Sequence, residues 1–300
     1  MARARYDGPM PSNMTSPALP IDSVLPDLLR VMADTPNAVL QAAPGAGKTT
    51  RVPLALLDQP WLAGQKIIML EPRRLAARAA AKRMADTLGE AVGETVGYRV
   101  RLDTRIGPHT RIEVVTEGLF LRQLQGDPSL EGVGAVLFDE FHERSLDADL
   151  ALAFCLQAQG LLREDLRLLV MSATLDGVAV ARLLGGNDRG DARMVTSEGR
   201  VFPVETRWVE PAATDRLETA VARVVKRAMT EETGSALVFL PGTGEIRRTE
   251  KALADLGLPR DVVVAPLYGD LALDQQEAAI RPRRLAGARW CWQRPSPKPA

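Results

Sequence analysis

The run Asn37–Thr50, N-A-V-L-Q-A-A-P-G-A-G-K-T-T, limits what this chain can fold into more than any other stretch of it. A short apolar segment (Ala38, Val39, Leu40) gives way to small residues and then to Gly47-Lys48-Thr49. That order is strand, tight loop, helix start, the context a phosphate-binding loop needs. Gly45 and Gly47 allow backbone conformations that a Cβ would forbid. Successive N–H groups, together with the positive end of the following helix, would then face an anion. In such a loop Lys48 reaches the β- and γ-phosphates and Thr49 places its hydroxyl on Mg²⁺. Gly45, Ala46, Gly47, Lys48, Thr49 and Thr50 are therefore the nucleotide-binding candidates. The first Gly of the G-x-x-x-x-G-K-[ST] pattern is Ala42 here, so a plain Gly-rich strand-to-helix turn stays open on this stretch alone.

The rest of the chain narrows the choice. Three hundred residues suffice for about two domains, and 46% apolar with 25% charged content is that of a globular protein. The 38 basic and 38 acidic residues cancel, which argues against a uniform basic coat. Between Lys66 and Arg111, however, ten Lys/Arg stand against five Asp/Glu, so a local basic stripe is expected there. Aromatic residues make up only 4%, leaving few for base stacking. Cys155 and Cys291 are far apart and lack CxxC spacing, which points to a reducing compartment without a disulfide framework or zinc site. No apolar run has the length of a membrane span and no signal-peptide core opens the chain, so the cytoplasm is the expected location.

Apolar periodicity gives the architecture. Residues 1–19, rich in Pro, Ser, Met and Arg, read as a disordered tail or an upstream start included by mistake. Ile21–Met32 has helical spacing with Asp22 or Ser23 as cap. Strands are predicted at Lys66–Leu70, Arg111–Thr116, Gly134–Asp139 and Arg167–Ser172. Helices are predicted at Arg73–Leu88, Gly118–Gln125 and Asp147–Leu161. Short, continuously apolar strands alternating with helices mean a parallel sheet covered on both faces. The rhythm restarts near residues 195–210, with strands at Val201–Val209, Ser235–Leu240 and Asp261–Pro266 and helices at Asp215–Met229 and Glu245–Leu256. One domain over residues 20–200 and a partial second over 201–282 are expected.

Val136-Leu137-Phe138-Asp139-Glu140-Phe141-His142-Glu143-Arg144 is the second decisive run. A buried strand ending in two carboxylates, on the same sheet edge as the phosphate loop, suits Mg-nucleotide hydrolysis. Asp139 would hold Mg²⁺ through water, and Glu140 would orient and deprotonate the attacking water. With Glu71-Pro72-Arg73-Arg74, Thr116-Glu117-Gly118 and Ser172-Ala173-Thr174, this run makes the chain resemble superfamily 2 helicases of the DEAH/RHA group. Asp139-Glu140-Phe141-His142 stands where that group has D-E-A-H, with Phe141 in place of Ala. The likeness covers residues 20 to 280.

That resemblance implies a RecA-like, P-loop NTPase fold, α/β with a parallel sheet between helices, followed by an incomplete second RecA-like lobe. It implies ATP and Mg²⁺ as cofactors and single-stranded RNA or DNA as partner, with ATP hydrolysis coupled to translocation or unwinding. Ser172, Ala173 and Thr174 would couple nucleotide state to lobe movement, with His142 contributing; without the family context a satisfied loop histidine is the lesser alternative for His142. Arg73, Arg74 and the backbone around Thr116, Glu117 and Gly118 would contact phosphates, positioning a strand without reading its bases. Arg99 and Arg101 fit the same groove. Arg83 is the candidate to stack on the nucleotide base, although Arg74, Arg78, Lys82 and Arg83 also read as one solvated helix face. Pro241 and Gly242, in V-F-L-P-G-T-G-E-I, would lie near nucleic acid. His109, beside Pro108, reads as surface, and Cys155 as core.

After Pro282 the alternation stops, and neither the A-T-N-I-A-E-T-S-like stretch nor the Q-R-x-G-R-x-G-R stretch of the group follows. Read two bases along, codons permitted for Arg289–Ala300 begin Val-Val-Leu-Ala and allow Thr-Ser-Ile-Ala-Glu-Thr-Ser. A frameshift is therefore expected ahead of an aberrant tail at residues 283–300. The resulting chain is expected to bind ATP–Mg weakly, to hydrolyse it slowly, and to leave strand edge and apolar faces exposed. Binding without turnover, and a P-loop ATPase acting on proteins or transport, are the competing functional readings.

Overall fold

The computed structural model describes residues 18–173, 177–198, 203–212, 214–232, 234–258, 262–269, 271–280 and 289–293. The chain divides into two compact units, Met1–Phe202 and Pro203–Ala300.

The first unit runs α1 (Leu25–Asp34), β1 (Asn37–Ala42), α2 (Lys48–Leu56), β2 (Lys66–Glu71), α3 (Arg74–Leu88), β3 (Val96–Val100), β4 (Asp103–Arg105), β5 (Ile112–Thr116), α4 (Glu117–Gly126), β6 (Val133–Phe138), α5 (Leu146–Leu161), β7 (Arg167–Ser172), α6 (Gly177–Arg189) and β8 (Arg193–Ser197). Its eight strands lie in the order β4-β3-β5-β2-β6-β7-β1-β8, all parallel except the β3–β4 hairpin. Alternate strand residues face opposite layers. Ala38, Leu40, Leu169 and Met171 join the core under α1, α2 and α3. Val39, Leu168 and Val170 join the core under α4, α5 and α6. Burial on both faces is why these strands read as continuous apolar runs rather than as alternating ones.

The predicted elements recur with shifted ends, and four departures have local causes. The helix expected from Ile21 splits into a 3-10 turn at Pro20–Ser23 and α1 from Leu25. Pro26 causes the break, because proline fits the first turn of a helix but not its interior. The hairpin of β3 and β4 falls in a stretch given no element by periodicity. Its strand V-G-Y-R-V is interrupted by Gly97 and Arg99, yet Gly97 is required there: a Cβ would stand 2.4 Å from the Arg105 carbonyl oxygen of the partner strand. α6 and β8, not predicted, complete the sheet beside β1. The strand expected over Val201–Val209 is absent among residues 203–209, where Val204 and Trp208 are exposed; Val201 and Phe202 lie outside the described residues.

The second unit carries α7 (Leu217–Glu231), β9 (Ala236–Phe239), α8 (Thr243–Leu256), β10 (Val263–Ala265), α9 (Leu273–Ile280) and β11 (Arg289–Gln293). Its strands form a parallel sheet in the order β10-β11-β9. β11 falls within the segment where the sequence rhythm ends. It lies between two strands that are not themselves neighbours and pairs with both. Ala222, Val225, Leu240, Ile246 and Leu253 are the buried apolar cluster of this unit.

Candidate active site

The carboxyl ends of β1, β7, β6 and β2 lie along one rim of the large sheet. Gln41 of β1 is level with Ser172 of β7, and Phe138 of β6 is level with Val170 of β7 and Leu70 of β2. The chain leaves β1 into the loop 43–47, enters α2 at Lys48, and continues to β2 on the far side of β7 and β6. Such a crossover opens a crevice at the strand ends, where open α/β sheets hold their ligands.

The loop has the local geometry its glycines allow. Gly45 and Gly47 take φ of 77° and 97°. A Cβ on Gly45 would meet nothing within 4 Å, so the loop is open on that side. Ala46 donates its N–H to Ala43 O, closing the turn. Lys48 and Thr49 begin α2, and both reach across β7 to the end of β6. Lys48 Nζ lies 2.6 Å from Glu140 Oε1 and 4.0 Å from Asp139 Oδ1. Thr49 Oγ1 donates to Asp139 Oδ2 at 2.5 Å. Lys48, Thr49, Asp139 and Glu140 thus form one cluster, with Lys48 and Asp139 almost wholly buried.

Beyond β6 the backbone is constrained. Glu140 and Arg144 both adopt left-handed φ, 49° and 50°, around a 3-10 turn at Phe141–Glu143. Non-glycine residues in this region cost about 1–2 kcal/mol each. The turn is held by Phe141, which is buried edge-on against Phe138 at 6.0 Å between centroids, and by the Arg144 guanidinium over the Phe141 ring. Asp139 Oδ1 accepts the Glu140 N–H at 2.8 Å. His142 Nδ1 stands 3.3 Å from Glu140 Oε2 without hydrogen-bond alignment, which leaves this buried nitrogen without a hydrogen-bond partner.

A further carboxyl, that of Glu71 in the E-P-R-R run, belongs to the same cluster. Glu71 ends β2, next to β6, and its side chain is buried and hydrogen-bonds Asp139. Burial first, then the charges of Asp139 and Glu140, pushes its carboxyl up to about 9. Burial also raises Asp139, against the opposing pull of Lys48 and the Thr49 hydroxyl. The signal in the sequence was an acid closing an apolar strand, K-I-I-M-L-E, one strand away from Asp139.

Oxygen donors dominate the spot where a metal would sit. The Thr49 hydroxyl and the Asp139 carboxylate suit Mg²⁺, a hard cation that takes few protein ligands and completes its shell with phosphate and water.

Ser172 is fully buried at the end of β7, between the loop and Asp139, and Ala173 follows it; Thr174 lies outside the described residues. Arg73 and Arg74 are exposed where β2 turns into α3, with Arg73 paired to Glu143 at 3.0 Å. Thr116 takes the N-cap position of α4 without a side-chain capping hydrogen bond, and Glu117 turns to Ser145, whose hydroxyl donates to its carboxylate at 2.5 Å. Burial foremost raises the Glu117 carboxyl. Gly118 is close-packed, since a Cβ would stand 3.0 Å from Asp147 Oδ2. Arg101 is exposed at the β3–β4 turn, but Arg99 is engaged by the buried carboxylate of Glu113 at 2.9 Å, which Lys66 also contacts. Arg83 is exposed on α3, and His109 is exposed. Pro241 and Gly242 form the turn from β9 into α8 in the second unit. Cys155 is core, its thiol pushed far up by burial.

Known proteins resemble this chain in sequence and in fold. The chain is 51% identical over 265 residues to the ATP-dependent RNA helicase HrpB of Escherichia coli (strain K12), a match covering 88% of this chain and 32% of that protein. It is 33% identical over 272 residues to the probable ATP-dependent RNA helicase DHX35 of Homo sapiens, covering 86% of this chain and 38% of that one. The crystal structure of Escherichia coli DEAH/RHA helicase HrpB superposes with a TM-score of 0.83 at 48% identity, over 92% of this chain and 34% of that one. The chain therefore spans about a third of the length of these relatives. No helix among the described residues is long and apolar enough to cross a membrane. Residues 22–183, which carry the loop, the acidic strand end and Ser172, match DEAD/DEAH box helicase, and the chain belongs to that family.

Proposed function

We propose that this chain binds ATP with Mg²⁺ on the rim of its large sheet and contributes, as the nucleotide-binding part of an ATP-dependent helicase, to movement along single-stranded RNA or DNA in the cytoplasm. The observation that carries this reading is the reach of Lys48 and Thr49 across β7 to Glu140 and Asp139. Lys48 would leave Glu140 for the β- and γ-phosphates, since a phosphate charge-assisted contact replaces the carboxylate one. That exchange frees Glu140 to orient and deprotonate a water. Thr49 and Asp139 would hold Mg²⁺, which when bound neutralises charge on the phosphates. Arg83 is assigned to the base. Arg73, Arg74, the Thr116–Gly118 backbone and, in the second unit, Pro241–Gly242 are assigned to the nucleic-acid backbone. Ser172 and Thr174, with His142, are assigned to coupling. The names of the relatives favour RNA.

A second reading is binding of ATP and nucleic acid without turnover. An arginine finger contributes about 10³ to 10⁵ in kcat at phosphoryl-transfer sites, and none of the residues assigned above to the nucleotide site supplies one. Fluorescent-ATP binding, followed by ATPase with and without single-stranded RNA, separates the possibilities. RNA-stimulated hydrolysis supports the helicase reading, and binding without hydrolysis supports the second. Hydrolysis indifferent to nucleic acid points to an ATPase of another kind. No nucleotide binding overturns both proposals.

A further inference from the structure

The segment ahead of α1 touches the phosphate loop directly, and none of the motifs above assigns it a part. Ile21, fully buried, donates its N–H to the carbonyl oxygen of Ala46 at 3.1 Å. In a planar trans peptide the C=O and the following N–H point in opposite directions. Holding the Ala46 oxygen from behind therefore aims the Gly47 N–H the other way, into the cradle where an anion would lie. Leu19 closes the same side. A Cβ on Gly47 would stand 2.6 Å from Leu19 Cδ1 and 3.1 Å from Ile21 Cγ2, so these side chains press on the loop where the glycine leaves room. Asp22 fastens the segment at both ends: it accepts the Leu19 N–H at 2.8 Å and pairs with Arg51 of α2 at 3.6 Å.

We propose that Leu19, Ile21 and Asp22 are positioning residues for triphosphate binding, holding the Ala46–Gly47 peptide in its anion-facing orientation before the nucleotide arrives. This rests on the nucleotide-binding reading of the loop and adds the element that pre-orients it. Linkage is reciprocal: a nucleotide that fixes the loop must also fix the segment behind it.

Two measurements on the full chain test this. Amide exchange with and without saturating Mg²⁺–AMP-PNP should slow at Ile21 by on the order of tenfold beyond any change at Thr35, whose N–H bonds Val31 at the other end of α1. Leu19→Ala should weaken AMP-PNP binding by on the order of tenfold, and Leu19→Met, which conserves volume, should restore it. A part in stability alone would lower Tm in Leu19→Ala and leave Kd within about twofold. That result, or equal slowing at Ile21 and Thr35, overturns the inference while the nucleotide reading stands. If Leu19→Ala does not fold, the exchange measurement on the unsubstituted chain decides. If the unsubstituted chain does not bind AMP-PNP at all, the nucleotide reading fails and takes this inference with it.

Discussion

The carboxyl of Glu71 hydrogen-bonds that of Asp139 across the ends of neighbouring strands, and each residue is only 2–3% exposed. Two ionised carboxylates so close and so dry would repel strongly, so the proton that Glu71 retains is part of the fold.

A pH dependence follows, and its direction is fixed. Glu71 is raised from 4.5 to about 9 in the folded chain, so between those values the folded state holds a proton that the unfolded state releases. The associated stability is fully present below about 4.5 and is lost as pH rises through about 9. Melting temperatures in EDTA should fall between pH 6 and pH 9. Glu71→Gln, neutral throughout, should flatten that fall. Parallel curves for the two proteins would remove Glu71 as the cause.

Lys48 and Glu140 should separate binding from chemistry. Lys48→Ala removes the cation facing both carboxylates and should weaken ATP–Mg binding at least about tenfold, the equivalent of about 1.4 kcal/mol. Glu140→Gln keeps the shape and should leave Kd nearly unchanged, while lowering any hydrolysis by about 10² or more. Equilibrium binding and single-turnover hydrolysis check the pair. An intact Kd in Lys48→Ala contradicts the assignment.

What could be read ahead of the structure was whatever is local in sequence. The loop 43–47 and Asp139-Glu140 announce themselves because glycine, lysine and strand-terminal acids act within a few residues of one another. Strands β1, β2, β6 and β7 were legible because burial on both faces leaves an unbroken apolar run. Strand β3 was not, since Gly97 and Arg99 answer to the Arg105 carbonyl and to Glu113, which no periodicity encodes. Glu71 was seen within a motif but not as part of the acidic cluster, because its meaning depends on β6 lying beside β2. The contact of Ile21 with Ala46 likewise joins segments whose adjacency only the fold creates.

Asn37 illustrates the same limit and gives a stability test. Its amide nitrogen donates to Gln159 Oε1 at 3.0 Å and to Leu184 O at 2.7 Å. Gln159 Nε2 in turn donates to Asn37 Oδ1 at 2.8 Å and to Leu166 O at 2.7 Å. This buried amide pair ties β1 to α5 and α6. Asn37→Ala leaves Gln159 and the Leu184 carbonyl short of partners, each costing about 1–3 kcal/mol. Urea unfolding should therefore show a loss of about 2–6 kcal/mol, whereas a loss below about 0.5 kcal/mol, the range of ordinary surface changes, would mean water or a neighbour satisfies the network.

Arg73 offers the sharpest test of the nucleic-acid surface, because it is already engaged. Its guanidinium pairs with Glu143 at 3.0 Å, both side chains about a third or more exposed, and such exposed pairs contribute about 0.2–1 kcal/mol. Glu143→Gln should therefore release Arg73 and tighten single-stranded RNA binding by up to about fivefold. Arg73→Ala should weaken it for every sequence alike, since phosphate contacts carry no base information. The slope of log K against log salt should become shallower by about 0.7 for that one lost contact. Fluorescence anisotropy on poly-U and mixed-sequence oligonucleotides over a salt series reads all three effects. An unchanged slope in Arg73→Ala would move the phosphate path away from the turn between β2 and α3.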